Sequence, residues 1–328
     1  MRIRKLIAVV ASASCALSIA ACSAQKDGDG NGASFPDGKQ ITIVVPYSAG
    51  GASDLTARAY AAGLEKELDT SVLVTNVTGS SGAIGLEQVR SSDPDGLTIA
   101  YMPVESTMLK SLGFTDLSTE DFKFLGRVMT IPAAITVKAD SEWNTLEDFI
   151  KAAKVAPRSI QIGNSGTGSI WHIAGASLGE AAGVEFKAVP FDGAAPAITA
   201  LLGGNIDAVA VSPSEVQPNV ESGELKILAV LSEDHSEIFP DVPTAKEEGY
   251  DVNIQGWGGF AVTKDTPEDV VTILENASEK AMNTDDIKNF LAERGFNHAY
   301  LSGDEMDDVA AKELEYFSKL IPELGIVN

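Results

Sequence analysis

The chain has 328 residues, and its 47 acids outnumber its 24 Lys and Arg to give a formal net charge of −23. So acidic a surface argues against nucleic acid and against a polybasic membrane patch, and it repels anions at long range. An anionic ligand must therefore be held by local donors rather than by a global field.

The first residues read as an address label. Arg2, Arg4 and Lys5 precede an apolar run, Leu6 to Ala21, that ends in the small pair Ala20-Ala21 directly before Cys22. This predicts a lipoprotein signal over 1–21, with Cys22 left as a lipidated N-terminus. The run is too short and too diluted by serines for a spanning anchor, which needs roughly 20 apolar residues. Cys15 falls in the leader, so the cleaved chain has one thiol and neither an internal disulfide nor a cysteine metal cluster. Residues 22–38 are rich in Gly, Asp and Ser and predict a flexible tether. Together these place the protein outside the cell, held to the outer face of the membrane by its lipid alone.

From Gln40 onward, short β-like runs alternate with helical patterns. The predicted strands are Ile41–Val45, Val72–Thr75, Thr98–Met102, Ala133–Val137, Ile160–Gly163, Phe186–Val189, Asp207–Val211, Lys226–Val230 and Phe260–Thr263. "ASDLTARAYAAGLEKEL" has apolar residues at helical spacing; Thr145 with Asp148 is a capping-box-like start; "SGDEMDDVAAKELEYFSKL" predicts a C-terminal helix with acids in its first turn. Strand-helix alternation predicts an α/β fold with mostly parallel sheets. The body exceeds a usual single core, and no long linker divides it, so two domains woven together are expected. The candidate crossings, near residues 133 and 257, give 39–132 plus 258–328 as domain 1 and 133–257 as domain 2.

Four strand-to-helix junctions are built from small residues: "PYSAGGASD" (46–54), "NVTGSSGAIG" (76–85), "GNSGTGSIWH" (163–172) and "PFDGAAPAI" (190–198). Glycine lets backbone approach a ligand closely, and a helix start offers unpaired N–H groups at the positive end of its dipole. Hydroxyls add donors that suit carboxylates. Such junctions bind anions without a fixed cation, at the strand ends where open sheets hold ligands. Any one of them is also what a plain strand-helix turn needs; four in one chain favour a shared pocket. Asp54 either caps its helix or accepts a hydrogen from a ligand amine or amide. Tyr47 and Phe191 suit an aromatic wall or lid, whereas Trp171 and Trp257 suit core or interdomain packing.

Competing chemistry finds little support. The P-loop pattern and the dinucleotide G-x-G-x-x-G spacing are both missing. "GASLG" (175–179) matches the nucleophile elbow, but Ser177 falls inside a helical pattern rather than at a turn. His172, His235 and His298 have no metal-ligand spacing. Neither a metal, a cofactor nor an enzymatic activity is expected.

The body resembles the tripartite tricarboxylate transporter receptor family, the solute receptors of three-component carboxylate importers. The resemblance runs from about Lys39 to near the C-terminus. It is carried, in order, by "VVPYSAGGASD", "NVTGSSGAIG", "DPDGLTIAY", "GNSGTGSIWHIAG", "VPFDGAAPAITALLGGNIDA" and "FPDVPTAKEEGY". It implies a Venus-flytrap fold, two α/β domains and a hinge, with a carboxylate held in the cleft by backbone N–H groups, hydroxyls and waters. It implies Tyr47, Ser48, Gly50, Gly51, Asp54, Thr78, Ser80, Ser81, Gly82, Ser106 and Thr107 as ligand residues of the first domain. In the second it implies Ser165, Thr167, Gly168, Ser169, His172, Phe191, Asp192 and Gly193, with Ser212 and Ser214 completing the wall. It also implies integral-membrane transporter subunits as partners. The chain departs from the family where Ser48 and Ala49 replace two prolines, where Val77-Thr78 replaces Arg-Pro, and where Phe191-Asp192 replaces Tyr-Lys. Extra hydroxyls suit a polyoxygenated di- or tricarboxylate such as citrate; Asp192 does not. Rival readings are a sensor of the same fold and an exported hydrolase using Ser177. A monomer is expected, since no exposed apolar stripe stands out.

Overall fold

The computed structural model describes residues 35–326. The signal segment, Cys22 and the tether as far as Ser34 lie outside the described residues. The end of the stretch predicted as tether belongs to the body: Phe35 packs against a core cluster and Pro36 is buried. An aromatic side chain has apolar surface worth removing from water, which the preceding Gly/Asp/Ser run lacks.

The chain begins with strand-helix units: β1 (Ile41–Val45), α1 (Ala52–Leu68), β2 (Val72–Asn76), α2 (Ala83–Arg90) and β3 (Thr98–Pro103). β1 pairs parallel to both β2 and β3. Its near-continuous apolar sequence reflects cover on both faces. α1 buries Ala57, Tyr60, Ala61 and Leu64 at helical spacing. β4 (Phe122–Pro132) then leads directly into β5 (Ala134–Lys138) of a second sheet. That sheet is built by α3 (Leu146–Val155), β6 (Gln161–Asn164), α4 (Ile170–Ala182), β7 (Lys187–Pro190), α5 (Ala194–Leu202), β8 (Ala208–Val211), α6 (Pro213–Glu221) and β9 (Leu225–Val230). An irregular segment leads back to β10 (Gln255–Thr263) in the first sheet, followed by α7 (Glu268–Met282), α8 (Asp285–Ala292), β11 (Asn297–Leu301) and α9 (Gly303–Glu323).

The strand orders are β11-β4-β10-β3-β1-β2 and β7-β6-β8-β5-β9. The expectation of mostly parallel sheets is corrected: both sheets are mixed. β10 runs antiparallel to β3 and β4, β11 to β4, and β5 to β8 and β9. The cause is the weave. β5 and β10, the strands by which the chain enters the second sheet and re-enters the first, run against the direction of the βα units, whereas β4 runs with them. The same two crossings leave a joint core, because one apolar cluster takes Met102 and Phe124 from the first sheet and Ile135, Ile162 and Ala208 from the second.

β4 and β11 were not predicted. β4 is buried along nearly its whole length, with a glycine and register shifts against β10, so it shows no period of two. β11 is short, half-buried throughout and pairs at the sheet's edge. β10 begins at Gln255 rather than Phe260, since the glycines of "QGWGGF" hide its start. Those glycines have a packing reason: a Cβ on Gly258 would stand 2.1 Å from the Tyr101 hydroxyl.

Candidate functional site

A cavity of about 560 Å3 opens between the two sheets. The first sheet's side gives Tyr47, Gly51, Ala52 and Ser53 from the β1–α1 junction, Tyr101, Pro103, Val104 and Glu105 around the end of β3, Met129 and Ile131 of β4, and Gly256 and Trp257 of β10. The second gives Ile170 and Trp171 at the start of α4, and Ser212, Ser214, Glu215 and Gln217 at the start of α6. Arg294 and Phe296 close one end. The β1, β3 and β8 ends lie at their carboxyl tips, where open sheets hold ligands.

The helix starts facing this cavity differ in what they offer. α1 follows Gly51, which gives no side-chain cap, so its first N–H groups have no side-chain acceptor. The loop ahead of it is held from behind by Asp54, 2% exposed. Its carboxylate accepts from Gly50 N at 2.8 Å, from Asn76 Nδ2 at 3.0 Å and from Arg58 Nε at 3.0 Å. Asn76 also donates to Tyr47 O at 2.9 Å, tying β2 to the loop. Burial works to raise the Asp54 pKa, and the bonds from Arg58, Gly50 and Asn76 outweigh it, so the carboxyl is held below its usual range. Asp54 is therefore a loop-shaping residue rather than an exposed acceptor.

α4 and α6 cap themselves. Ser169 Oγ accepts from His172 N at 3.2 Å and donates to Gly166 O at 2.8 Å. Ser212 and Glu215 form a reciprocal capping box, with Ser212 N donating to Glu215 Oε2 at 2.9 Å and Ser212 Oγ donating to the same oxygen at 2.8 Å.

Two acids and one base line the cavity that the sequence did not single out. Glu105 faces the Tyr47 hydroxyl and the Ile170 N–H; burial raises its pKa, and these two donors lower it in part. Burial is also the largest cause raising Glu215, offset by Ser212. Arg294 is the one Lys or Arg lining the cavity among the described residues, and its guanidinium lies 4.0 Å over the Phe290 ring. Behind the wall, Trp257 Nε1 donates to Glu313 Oε2 at 2.7 Å. Burial pushes Glu313 up to about 7 against the pull of Trp257 and Arg127.

Of the predicted ligand residues, Tyr47, Gly51, Ser212 and Ser214 line this cavity, and His172 lines a different one. The others line neither. Ser48, Gly50, Thr78, Ser80, Thr167 and Asp192 are exposed, and Ser165 is half-buried. Ser80 and Ser81 both hold left-handed backbone, φ 46° and 52°, between glycines of positive φ, a strained turn whose Ser81 O accepts from the Tyr47 hydroxyl at 3.5 Å. Gly82 has φ +100° and meets Pro46, so a side chain there is disfavoured twice over. Ser106 and Thr107 are buried and turn inward, donating to Pro103 O and Val104 O at 2.7 Å each. Gly168 N donates to His172 Nδ1 at 3.2 Å, and burial lowers the His172 pKa, which favours the neutral imidazole. Phe191 packs against the β8 cluster, and Gly193, φ +103°, starts α5. The signal that would have found Glu105 was in view: it directly precedes Ser106 at the same strand end.

Ser177 is buried within α4, away from any strand-helix turn. His235 is bonded to Glu247 and His298 to Met282 O. Among the described residues no His, Cys, Asp or Glu cluster is arranged for a metal, and no helix is long and apolar enough to cross a membrane.

Residues 56–326 match the family model described as "Tripartite tricarboxylate transporter family receptor". A UPF0065 protein of Cupriavidus necator is 30% identical over 322 residues, 97% of this chain and 96% of its own. Among solved structures, a TctC solute binding protein from Polaromonas is 39% identical with a TM-score of 0.78, covering 88% of this chain and 99% of that one. R. palustris Rpa4515, solved with adipate, is 26% identical with a TM-score of 0.76, covering 88% and 97%.

Proposed function

The chain belongs to the tripartite tricarboxylate transporter receptor family, a family of periplasmic solute-binding proteins, and from that premise we propose that it captures a small carboxylate in the cavity between its sheets. The observation that carries the reading is the cavity itself, lined from both sheets, with the uncapped start of α1 opening on it. A carboxylate seated at Gly51, Ala52 and Ser53 meets free N–H groups at the positive end of a helix dipole. Tyr47 walls the seat, and Arg294 supplies the one full positive charge.

The lining also bears on which acid is taken. Glu105 and Glu215 face the same space, and in a low-dielectric cleft each repels a nearby anion whenever it is ionised. A trianion such as citrate meets this repulsion most, so a mono- or dicarboxylate is favoured over the tricarboxylate that hydroxyl content alone suggests. Adipate in a solved relative supports a dicarboxylate.

In this reading residues 39–132 with 258–328, and 133–257, act as two lobes. Ligand bound to the first is enclosed by the second, and closure is favoured only by interactions that the closed form makes and the open form lacks. The loaded receptor, a monomer held at the outer face by a lipid on Cys22, then delivers its ligand to integral-membrane subunits. A sensor of the same fold would bind identically and differ only in its partner.

Titration calorimetry of the purified protein against malonate, succinate, malate, adipate and citrate tests the binding claim. Saturable binding of a short acid, weakest for citrate, is the expected result. Heats indistinguishable from dilution across the series would overturn it.

A further inference from the structure

α4 begins beside the cleft, and its first three residues straddle a boundary. Ile170 lines the cleft cavity, His172 lines a second cavity of about 540 Å3, and Trp171 lines both. A helix turns its side chains by about 100° per residue, so the residue between those two faces both spaces. The second cavity exists because the rest of that helix face is nearly bare: Gly175, Ala176 and Gly179 follow His172 at i+3, i+4 and i+7. The indole is half-buried and packs against all three apolar clusters of the body. On its far edge Gly256 of β10 brings backbone close, with Trp171 Cη2 3.7 Å from where a Cβ would stand.

We propose that Trp171 is the length gate of the ligand site: its indole ends the cleft cavity and keeps the second cavity from the ligand. The inference rests on the carboxylate-binding reading above and adds the residue that sets the longest chain admitted. Among the described residues the two spaces share no other side chain, so one substitution removes the wall from both. Phe186, Leu324 and Ile326 give the second cavity an apolar patch within an otherwise mixed lining, which suits a polymethylene chain. Arg158 and Lys187 stand around it together with Glu180, Glu185 and Glu323, giving the far end both signs of charge.

The test is calorimetry with succinate, adipate, suberate and sebacate on the wild type, Trp171→Ala and Trp171→Leu, with a thermal melt of each to establish folding. The wild type is expected to bind the short members and to lose affinity at suberate and sebacate. In Trp171→Ala the order reverses, each further methylene seated in the opened space gaining about fourfold in affinity. Trp171→Leu moves the same way by a smaller step and carries the test if the alanine variant does not fold. A folded variant with the wild-type length profile, or one uniformly weaker at every length, overturns the gate while leaving carboxylate binding intact. A wild type that binds none of the four overturns the carboxylate reading, and the gate with it.

Discussion

The starts of α1 and α4 look alike in sequence, each a glycine-rich run between an apolar strand and a helix, yet they are wired in opposite ways. At α1 the shaping contacts come from behind: Asp54 holds Gly50, Asn76 holds Tyr47, and the front of the helix has no side-chain cap. At α4 the serine turns onto its own helix, so Ser169 satisfies His172 N while its proton goes to Gly166 O. α6 repeats the second arrangement through Ser212 and Glu215. The lesson is that a hydroxyl at a helix start is more often committed to the backbone than free for a ligand. What marks a seat is a start that lacks one.

The sharpest way to break this contrast is Asp54→Ala. Losing a buried carboxylate with three charged or amide partners is expected to cost about 2–3 kcal/mol of stability, and to weaken carboxylate binding beyond what the melt explains; chemical denaturation and calorimetry read the two effects. Since the Asp54 carboxyl titrates low in the fold, its contribution is present above the ordinary aspartate range and is lost as pH falls through the folded value. The variant should therefore flatten the acid limb of the stability profile. An unchanged acid limb would remove Asp54 as the loop's anchor.

Arg294→Gln comes next. It leaves α1's amides in place but removes the cavity's one cation, so affinity should fall about tenfold and its dependence on ionic strength should diminish. Ser169→Ala and Ser212→Ala address the self-capped side: each should cost about 1 kcal/mol of stability with ligand affinity nearly unchanged. A large loss of affinity without loss of stability would mean those hydroxyls reach the ligand after all. The smallest effect on ligand affinity belongs to Glu313→Gln, which acts on stability instead. An acid whose folded pKa is raised to about 7 opposes folding progressively as pH climbs from the usual glutamate range to that value. Gln keeps an acceptor for Trp257, so the variant should match the wild type at pH 4 and exceed it by up to about 3 kcal/mol at pH 8. Melting scans at both values check the crossing.

Much of the fold was legible because its strands are short apolar runs set off by glycines. β1 and the strands around residues 98, 160 and 208 emerge within a residue or two of their predicted bounds. What escaped was non-local. The reversed direction of β5 and β10 follows from a chain that crosses twice between sheets, which no window of sequence reports. β11 needs β4 beside it to exist at all, and β4's lack of alternation comes from being covered on both faces. The site divides the same way. Tyr47 and Gly51 belong to a glycine-rich junction legible at a strand end, whereas Ser212 and Ser214 come from the family resemblance. A donor pattern does not mark Glu105, although it directly precedes Ser106 at a strand end, and Glu215 and Arg294 carry no local mark in so acidic a chain. Ser106 and Thr107 show the converse, hydroxyls in the right place whose bonds turn them to the backbone.

Asn76 sits at the end of β2, the outermost strand of its sheet, and its single amide grips both the Tyr47 carbonyl and the Asp54 carboxylate. The edge strand of the sheet and the loop bordering the cavity are thus one stitch apart, so a change at Asn76 removes both contacts at once.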